Sequence, residues 1–297
     1  MKENIYNKYL QKIFNYFDLM RINKPIGFWL LLWPTLWALW LASEGRPSQN
    51  IFIIFVLGVV IMRSAGCVLN DYVDRKIDSH VKRTQSRPIV SGLVSPKEAL
   101  VLFFLLSLTA ISLATMLNRM TQILAVIAAC LTIIYPFIKR YLSIPQFVLG
   151  AAFGWAVPMV FAAETKSLPI LAWLLFGTVI VWAVIYDTFY AMIDRDDDLK
   201  IGVKSTAILF GSADLLIIAS LQTIMILLLV AIGFFAELSF WFFSSIFIVS
   251  GLMIYHLWLA CKRRPEEYYL AFKGNNIIGL VIFLGFLLHY TFYPSSF

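Results

Sequence analysis

Nine apolar runs dominate this 297-residue chain, near residues 25–42, 51–69, 97–117, 120–138, 145–163, 168–190, 213–235, 238–260 and 275–293. A run of about 18 or more such residues is long enough to cross the hydrocarbon layer of a bilayer as a helix. Lipid offers a backbone no hydrogen-bond partners, so a spanning segment must satisfy itself helically or close into a barrel. The expectation is an all-α membrane protein with nine transmembrane helices and the lipid bilayer as its solvent. Composition agrees, with 61% hydrophobic and 14% charged residues, against about half apolar in soluble domains. The polar first 24 residues are too long for the charged head of a signal peptide, and no small-residue cleavage site follows Pro25, so the start is expected to be retained as an anchor. Residues 1–297 are expected to form a single integral-membrane domain with no soluble appendage.

Orientation follows from the basic residues, because short cytoplasmic loops keep Lys and Arg. With the N-terminus inside, 21 of the 24 fall on the cytoplasmic side, and only Arg46, Arg119 and Lys166 lie outside. That bias accounts for the net charge of +7 without nucleic acid; basic loops at a membrane favour anionic lipid and an anionic substrate. Cys67, Cys130 and Cys261 show no metal-ligand or CxxC spacing and read as reduced packing residues.

Against this apolar background the acids are concentrated. Eight of the 17 lie in two cytoplasmic windows: Asp71, Asp74 and Asp78, then Asp187, Asp194, Asp196, Asp197 and Asp198. In "NDYVDRKID", Asn70, Asp74 and Asp78 are spaced i, i+4, i+8, which places them on one face of a helix over about 12 Å. Asp187, Asp194 and Asp198 share a face as well if the sixth span continues through "YDTFYAMIDRDDD". Asp74-Arg75 and Asp78 recur 120 residues later as Asp194-Arg195 and Asp198. Each set ends an even-numbered span, and the basic loops "HVKRTQSRPIVSG" and "LKIGVKSTAILFG" follow. The pattern reads as a duplicated helical unit whose acidic cytoplasmic segments, 70–96 and 187–212, both face one cavity.

A lone acid at a span end is ordinarily a solvated cap; two windows with matched spacing argue for more. Carboxylates converging at a membrane-buried mouth repel one another unless a cation neutralises them. Oxygen-only ligands suit Mg2+, which takes one or two protein carboxylates, several waters and the phosphate oxygens of its substrate. A phosphorylated partner is therefore expected. Arg75, Lys82, Arg83, Arg87, Lys139, Arg140, Arg195, Lys200 and Lys204 lie on the same side, where they would stabilise a departing diphosphate. Lys82, Arg83 and Lys200 serve equally well as topology markers, so Arg87 and Lys204 are the better ligands.

These residues carry a family resemblance. "NDYVDRKID" has the NxxxDxxxD pattern, "DRDDD" the DxxxD pattern, and "YPFIK" the YxxxK pattern of Tyr135 and Lys139; together they resemble the UbiA superfamily of intramembrane prenyltransferases. "LLLWPTLWALW", "RSAGCVLNDYVDRKIDSHVKRTQSRPIVSG" and "YDTFYAMIDRDDDLKIGVKSTAILFG" are similar in particular to the bacterial 4-hydroxybenzoate polyprenyltransferases of ubiquinone synthesis. The resemblance implies a bundle of nine helices around a central cavity, in the bacterial inner membrane, with the active site facing the cytoplasm. It implies Mg2+-dependent transfer of a polyprenyl group from polyprenyl diphosphate to the ring carbon ortho to the hydroxyl of 4-hydroxybenzoate.

Matched by position, Asn70, Asp74, Asp78, Asp194 and Asp198 would hold the metal, with Asp71 and Asp187 as helpers. Asp74, Asp78, Asp194 and Asp198 would be the catalytic acids. Tyr135 and Lys139 would reach the diphosphate alongside Arg75, Arg87 and Lys204, and Arg140 or Arg21 would pair with the aromatic carboxylate. Aromatic faces can stabilise an allylic cation, by about 0.5–2 kcal/mol per contact, and Phe153, Trp155, Tyr186 and Tyr190 are candidates for that wall. The same chemistry on another aromatic acceptor is one alternative. A secondary transporter with a cation site is another; it would place its acids near the bilayer midplane, on broken helices.

Other features read as architecture. "SPKE" at 95–98 has the form of a capping box with Pro at the first helical position. Gly150 and Gly154 permit close helix contact, and Pro34, Pro136 and Pro158 are expected to bend their helices. His80 reads as a loop histidine, and His256 and His289 as packed or interfacial ones. The chain has neither a GxxxxGK[ST] phosphate loop nor an HExxH zinc site.

Overall fold

The structure, a computed structural model, describes residues 2–79, 84–138 and 141–294, with the side chains of 2–6, 8, 9 and 201 outside the description. Regular structure among the described residues is entirely helical: α1 (Lys2–Leu19), α2 (Ile26–Ala42), α3 (Gln49–Asp78), α4 (Pro96–Thr115), α5 (Arg119–Ile138), α6 (Pro145–Gly154), α7 (Ala156–Thr165), α8 (Ile170–Ile193), α9 (Arg195–Ile201), α10 (Thr206–Phe210), a 3₁₀ turn (Gly211–Ala213), α11 (Asp214–Phe235), α12 (Phe240–Cys261) and α13 (Pro265–Phe292). Eight segments are long and apolar enough to cross a membrane, with α6 and α7 counting as one and α10 joined to α11. The first apolar run forms α2, which has 17 residues. Val101, Phe104, Leu105, Leu108 and Ile111 project outward from α4, as expected of a helix whose solvent is lipid. The chain is a multi-pass membrane protein.

Two compact units emerge, one from Met1–Phe28 and Leu57–Met116, the other from Trp29–Val56 and Leu117–Phe297. In the first, Leu19 of α1, Val68 of α3, Ile89, Val94 and Ala99 of α4 form a buried core, flanked by Tyr16 and Tyr72. The expected capping box is present: Ser95 Oγ accepts from the Glu98 amide, and the Glu98 carboxylate accepts from the Ser95 amide at 2.9 Å. Glu98 also pairs with Lys12 and accepts from the Tyr16 hydroxyl at 3.3 Å. One carboxylate thus both starts α4 and ties it to α1.

The second unit is built around α8, which contacts α6, α7, α10, α11 and α13. Leu175, Val179, Trp182, Ala183, Val184, Ile185 and Phe189 of α8 are buried. Gly150 and Gly154 explain the close approach of α6. A Cβ at Gly150 would stand 3.0 Å from the Ile180 backbone, and one at Gly154 would stand 3.0 Å from the Phe176 ring. Pro158 has no amide proton for the Gly154 carbonyl, and the span breaks there into α6 and α7 at Trp155. By contrast, Pro34 and Pro136 lie within the unbroken helices α2 and α5. Several polar groups inside this unit find partners, although Ser239 Oγ, His256 Nδ1 and Arg195 Nε find none among the described residues. Trp182 Nε1 donates to Asn275 Oδ1 at 3.0 Å, Trp37 Nε1 to the Gly279 carbonyl at 2.9 Å, and the Ser239 amide to His289 Nδ1 at 3.0 Å. His256 is buried against Gly274. Of the cysteines only Cys67 is buried; Cys130 and Cys261 are exposed, so the packing role expected of them does not hold.

Candidate active site

Helix α3 remains regular through its polar end. Largely apolar from Ile51 to Leu69 apart from Arg63 and Ser64, it carries Asn70, Asp71, Asp74 and Asp78 without interruption, so the i, i+4, i+8 spacing does place Asn70, Asp74 and Asp78 on one face. Asp71, Asp74 and Asp78 are only 2%, 5% and 6% exposed, and carboxylates so buried require compensation. Two arginines from outside the helix supply part of it. Arg87 Nη1 lies 2.5 Å from Asp78 Oδ2 and 3.1 Å from Asp71 Oδ1, and Arg21 Nη2 donates to the same Asp71 oxygen at 2.8 Å. Arg21 adopts the left-handed backbone region, φ 56°, at the turn after α1. Thr84 Oγ1 donates to the Asp78 carbonyl at 2.8 Å, satisfying a helix-end acceptor.

Two of the basic residues singled out in the sequence meet partners within this unit. Arg21, expected at the aromatic carboxylate, is engaged with Asp71. Arg75 Nη1 donates to the Tyr72 carbonyl at 2.5 Å and its guanidinium stacks 4.3 Å above the Tyr72 ring. One residue was overlooked. Arg63, inside the apolar part of α3, shares the face of Asn70 and Asp74 at i, i+7 and i+11, about 10 Å deeper. Its guanidinium packs where a Cβ on Gly27 would stand. The available signal was a charge within a membrane span.

The second window is built differently. Helix α8 ends at Ile193, and Asp194 leaves helical geometry at φ −99°, ψ 3° before α9 begins at Arg195. The expected continuation through "YDTFYAMIDRDDD" therefore does not occur, and Asp187, Asp194 and Asp198 do not share one helix face. The reason is local. The Asp194 carbonyl accepts from the amides of Asp197 at 3.1 Å and Asp198 at 2.8 Å, starting a new helix, and Asp196, Asp197 and Asp198 fill its first turn, where acids complement the helix dipole. Asp187, Asp194 and Asp198 are half-buried.

Arg195 turns away to Asp214, a fully buried acid that the sequence reading missed. Asp214 Oδ2 accepts from Arg195 Nη2 at 2.5 Å and from Arg263 Nη1 at 2.7 Å, while Oδ1 accepts from the Leu215 amide at 2.6 Å. Hydrogen bonding to Asp214 raises the Arg263 guanidinium above its ordinary value.

Lys204 Nζ donates to the Tyr141 carbonyl at 3.0 Å, which brings it to the loop that follows Lys139 and Arg140. Those two, like His80, Lys82 and Arg83, lie outside the described residues. Lys200 pairs with Asp197 on the exposed surface, 3.1 Å away. Tyr135 is half-buried near the end of α5. Among the aromatic candidates, Tyr186 and Tyr190 both meet Phe272, with centroids 6.3 and 4.8 Å apart. Trp155 instead secures the α6–α7 break, donating to the Leu124 carbonyl at 2.9 Å. Among the described residues, no three or more His, Cys, Asp or Glu side chains form a ready-made metal cage. Mg2+ needs none, since waters and substrate phosphates complete its octahedron.

Comparison with known proteins adds the family. Residues 31–291 match the UbiA prenyltransferase family. Proteins named 4-hydroxybenzoate octaprenyltransferase from Coxiella burnetii, Nitrosococcus oceani and Yersinia pseudotuberculosis are 50%, 52% and 55% identical to the chain. The alignments cover 94%, 94% and 93% of it and 98%, 98% and 96% of those proteins. In fold, the chain is similar to a UbiA homologue from Aeropyrum pernix, with a TM-score of 0.78 at 24% identity, covering 88% of this chain and 97% of that one. It is also similar to a UbiA homologue from Archaeoglobus fulgidus bound to GPP and Mg2+, with a TM-score of 0.66 at 18% identity over 90% and 99% of the two chains. The chain belongs to the UbiA prenyltransferase family.

Proposed function

We propose that this protein transfers a polyprenyl group from polyprenyl diphosphate to 4-hydroxybenzoate, giving 3-polyprenyl-4-hydroxybenzoate and diphosphate. The observation that carries this reading is identity of 50–55% over more than nine-tenths of both chains to proteins named for that activity. Their names support an octaprenyl donor. In this reading residues 1–297 work as one catalytic domain in a bacterial inner membrane, with the acidic ends of α3 and α8 facing the cytoplasm.

The donor set fits Mg2+: the acids of α3 are oxygen ligands, buried at the end of a long apolar helix, with no described His or Cys among them. Asn70, Asp74 and Asp78 from α3, and Asp194 and Asp198 from the α8–α9 break, would hold the ion, with Asp71 and Asp187 assisting. When bound, Mg2+ draws charge from the diphosphate oxygens and eases ionisation of the allylic C–O bond. The structure of the Archaeoglobus fulgidus homologue bound to GPP and Mg2+ supports Mg2+ as the ion.

The protein's own groups do the rest. Arg87, Tyr135, Lys139 and Lys204 offer donors to the leaving diphosphate, which departs with the C–O electron pair, while Arg75, engaged with Tyr72, has the smaller part. The Lys204 bond to the carbonyl of Tyr141, the next residue in sequence after Lys139 and Arg140, supports this grouping. Tyr186 and Tyr190, backed by Phe272, wall the chamber against water and face the allylic cation. The ring carbon ortho to the hydroxyl forms the new C–C bond, and loss of its proton restores aromaticity. For the carboxylate of 4-hydroxybenzoate, Arg140 is the proposed partner, and Arg63 is a second candidate by its depth on the Asn70–Asp74 face of α3. Arg21 is the weaker partner, being held by Asp71.

The test is a competition. Purified protein with Mg2+ and a short prenyl diphosphate is offered 4-hydroxybenzoate, a naphthoate and homogentisate together, and products are identified by mass spectrometry. The expected result is C-prenylated 4-hydroxybenzoate in large excess. Prenylation of another acceptor would move the substrate assignment, and substrate movement across vesicles without product would reverse the enzymatic one.

A further inference from the structure

Asp214 lies outside both acidic windows and outside every motif read from the sequence, yet it is fully buried and accepts three hydrogen bonds. Its partners come from three places in the second unit. Arg195 opens α9, Leu215 belongs to the first turn of α11, and Arg263 follows the end of α12. Arg263 is also held at φ 54°, a left-handed conformation that costs a non-glycine residue energy and persists where surrounding contacts enforce it. A buried carboxylate that spends both oxygens on three segments is a tie point.

What it ties is informative. Arg195 is the peptide neighbour of Asp194, and the break at Asp194 sets where α8 ends and where α9, carrying Asp198, departs. A salt bridge on the first residue of α9 therefore fixes the direction of the segment that bears the second acidic pair. Asp214 also sits between two guanidinium groups and offsets part of their charge.

We propose that Asp214 is a positioning residue for prenyl diphosphate binding, acting through Arg195 to hold the Asp194–Asp198 segment in the arrangement that takes the metal-diphosphate. The proposal rests on the prenyltransferase reading, but its test separates the two. Wild-type turnover reports on that reading, and the Asp214 variants report on the tie.

Asp214→Asn keeps shape and one acceptor oxygen while removing the charge, and Asp214→Glu keeps the charge. Two measurements are made. One is binding of Mn2+ with an unreactive prenyl thiodiphosphate, followed by electron paramagnetic resonance and by the shift in thermal midpoint. The other is KM for each substrate. Loss of a group that orients metal ligands typically weakens metal binding or activity by about 10- to 100-fold. Asp214→Asn is expected to weaken analogue binding and raise donor KM by about tenfold, leaving the KM for 4-hydroxybenzoate within about twofold, with Asp214→Glu closer to wild type. If Asp214→Asn does not fold, Arg195→Gln cuts the same tie while leaving Asp214 paired with Arg263, and must show the same donor-selective loss. Normal analogue binding in a folded variant, or an equal loss for both substrates, would overturn the proposal and leave the cluster a structural staple.

Discussion

The two acidic windows share an Asp-Arg pair followed by a second Asp four residues after the first, and are built in opposite ways. In the first, α3 runs unbroken through Asn70, Asp74 and Asp78, so one regular helix sets the geometry. Its acids are buried, and arginines from elsewhere in the chain, Arg21 and Arg87, meet them. In the second, the helix stops at Asp194 and restarts at Arg195, the acids are half-buried, and the neighbouring arginine is turned away onto Asp214. The first window is ordered by its backbone and neutralised from outside. The second is ordered by a tie behind it. Similar motifs thus need not arise from similar local folds; what they share is the chemistry they present.

The most forceful challenge to this pairing removes one central acid from each window. Asp74→Ala and Asp194→Ala should each lower kcat/KM on the order of 1,000-fold, through loss of charge stabilisation at the departing diphosphate, while the detergent-purified protein keeps its helical circular dichroism. Near-normal turnover in only one of them would mean that a single window carries the chemistry.

A more selective test concerns the external arginine of the first window. Arg87→Ala leaves Asp78 and Asp71 without that partner and should reduce turnover roughly 10- to 100-fold. It should also lower the thermal midpoint, because a buried charge loses its counterion. An unchanged midpoint would show that Arg87 is not what neutralises the α3 acids.

The smallest and sharpest comparison sets Arg75 against Arg195, which sequence alignment of the two windows makes equivalent. Arg75 caps a carbonyl one turn back on its own helix and stacks on Tyr72, so Arg75→Gln should cost no more than about threefold in kcat/KM. Arg195→Gln should cost about tenfold, mostly in donor KM. Equal effects would restore the equivalence.

Much of this was legible in the sequence. Apolar runs announced the spans, because membrane length and backbone satisfaction leave little choice. Ser95 and Glu98 announced the start of α4, and Gly150 and Gly154 a close helix contact, whose partner α8 only the structure shows, because capping and small-residue packing are local rules. The regular face of α3 followed from spacing. Three things did not follow. The break at Asp194 depends on competition between a continuing helix and an acid-rich first turn. The partners of Arg21 and Arg195 depend on which distant carboxylate the fold brings near. Asp214 stands alone among apolar residues, with no spacing to betray it. Periodicity reports which side of an element a residue occupies; it is silent on what tertiary packing places opposite.

The central claim is that these acids serve a divalent ion, and a metal titration tests it most directly. Enzyme stripped with a chelator should form no C-prenylated 4-hydroxybenzoate above background, and graded Mg2+ should restore the rate to saturation. Undiminished product from the stripped enzyme would contradict the account, because the carboxylates of α3 and of the α8–α9 break would then have no ion to hold.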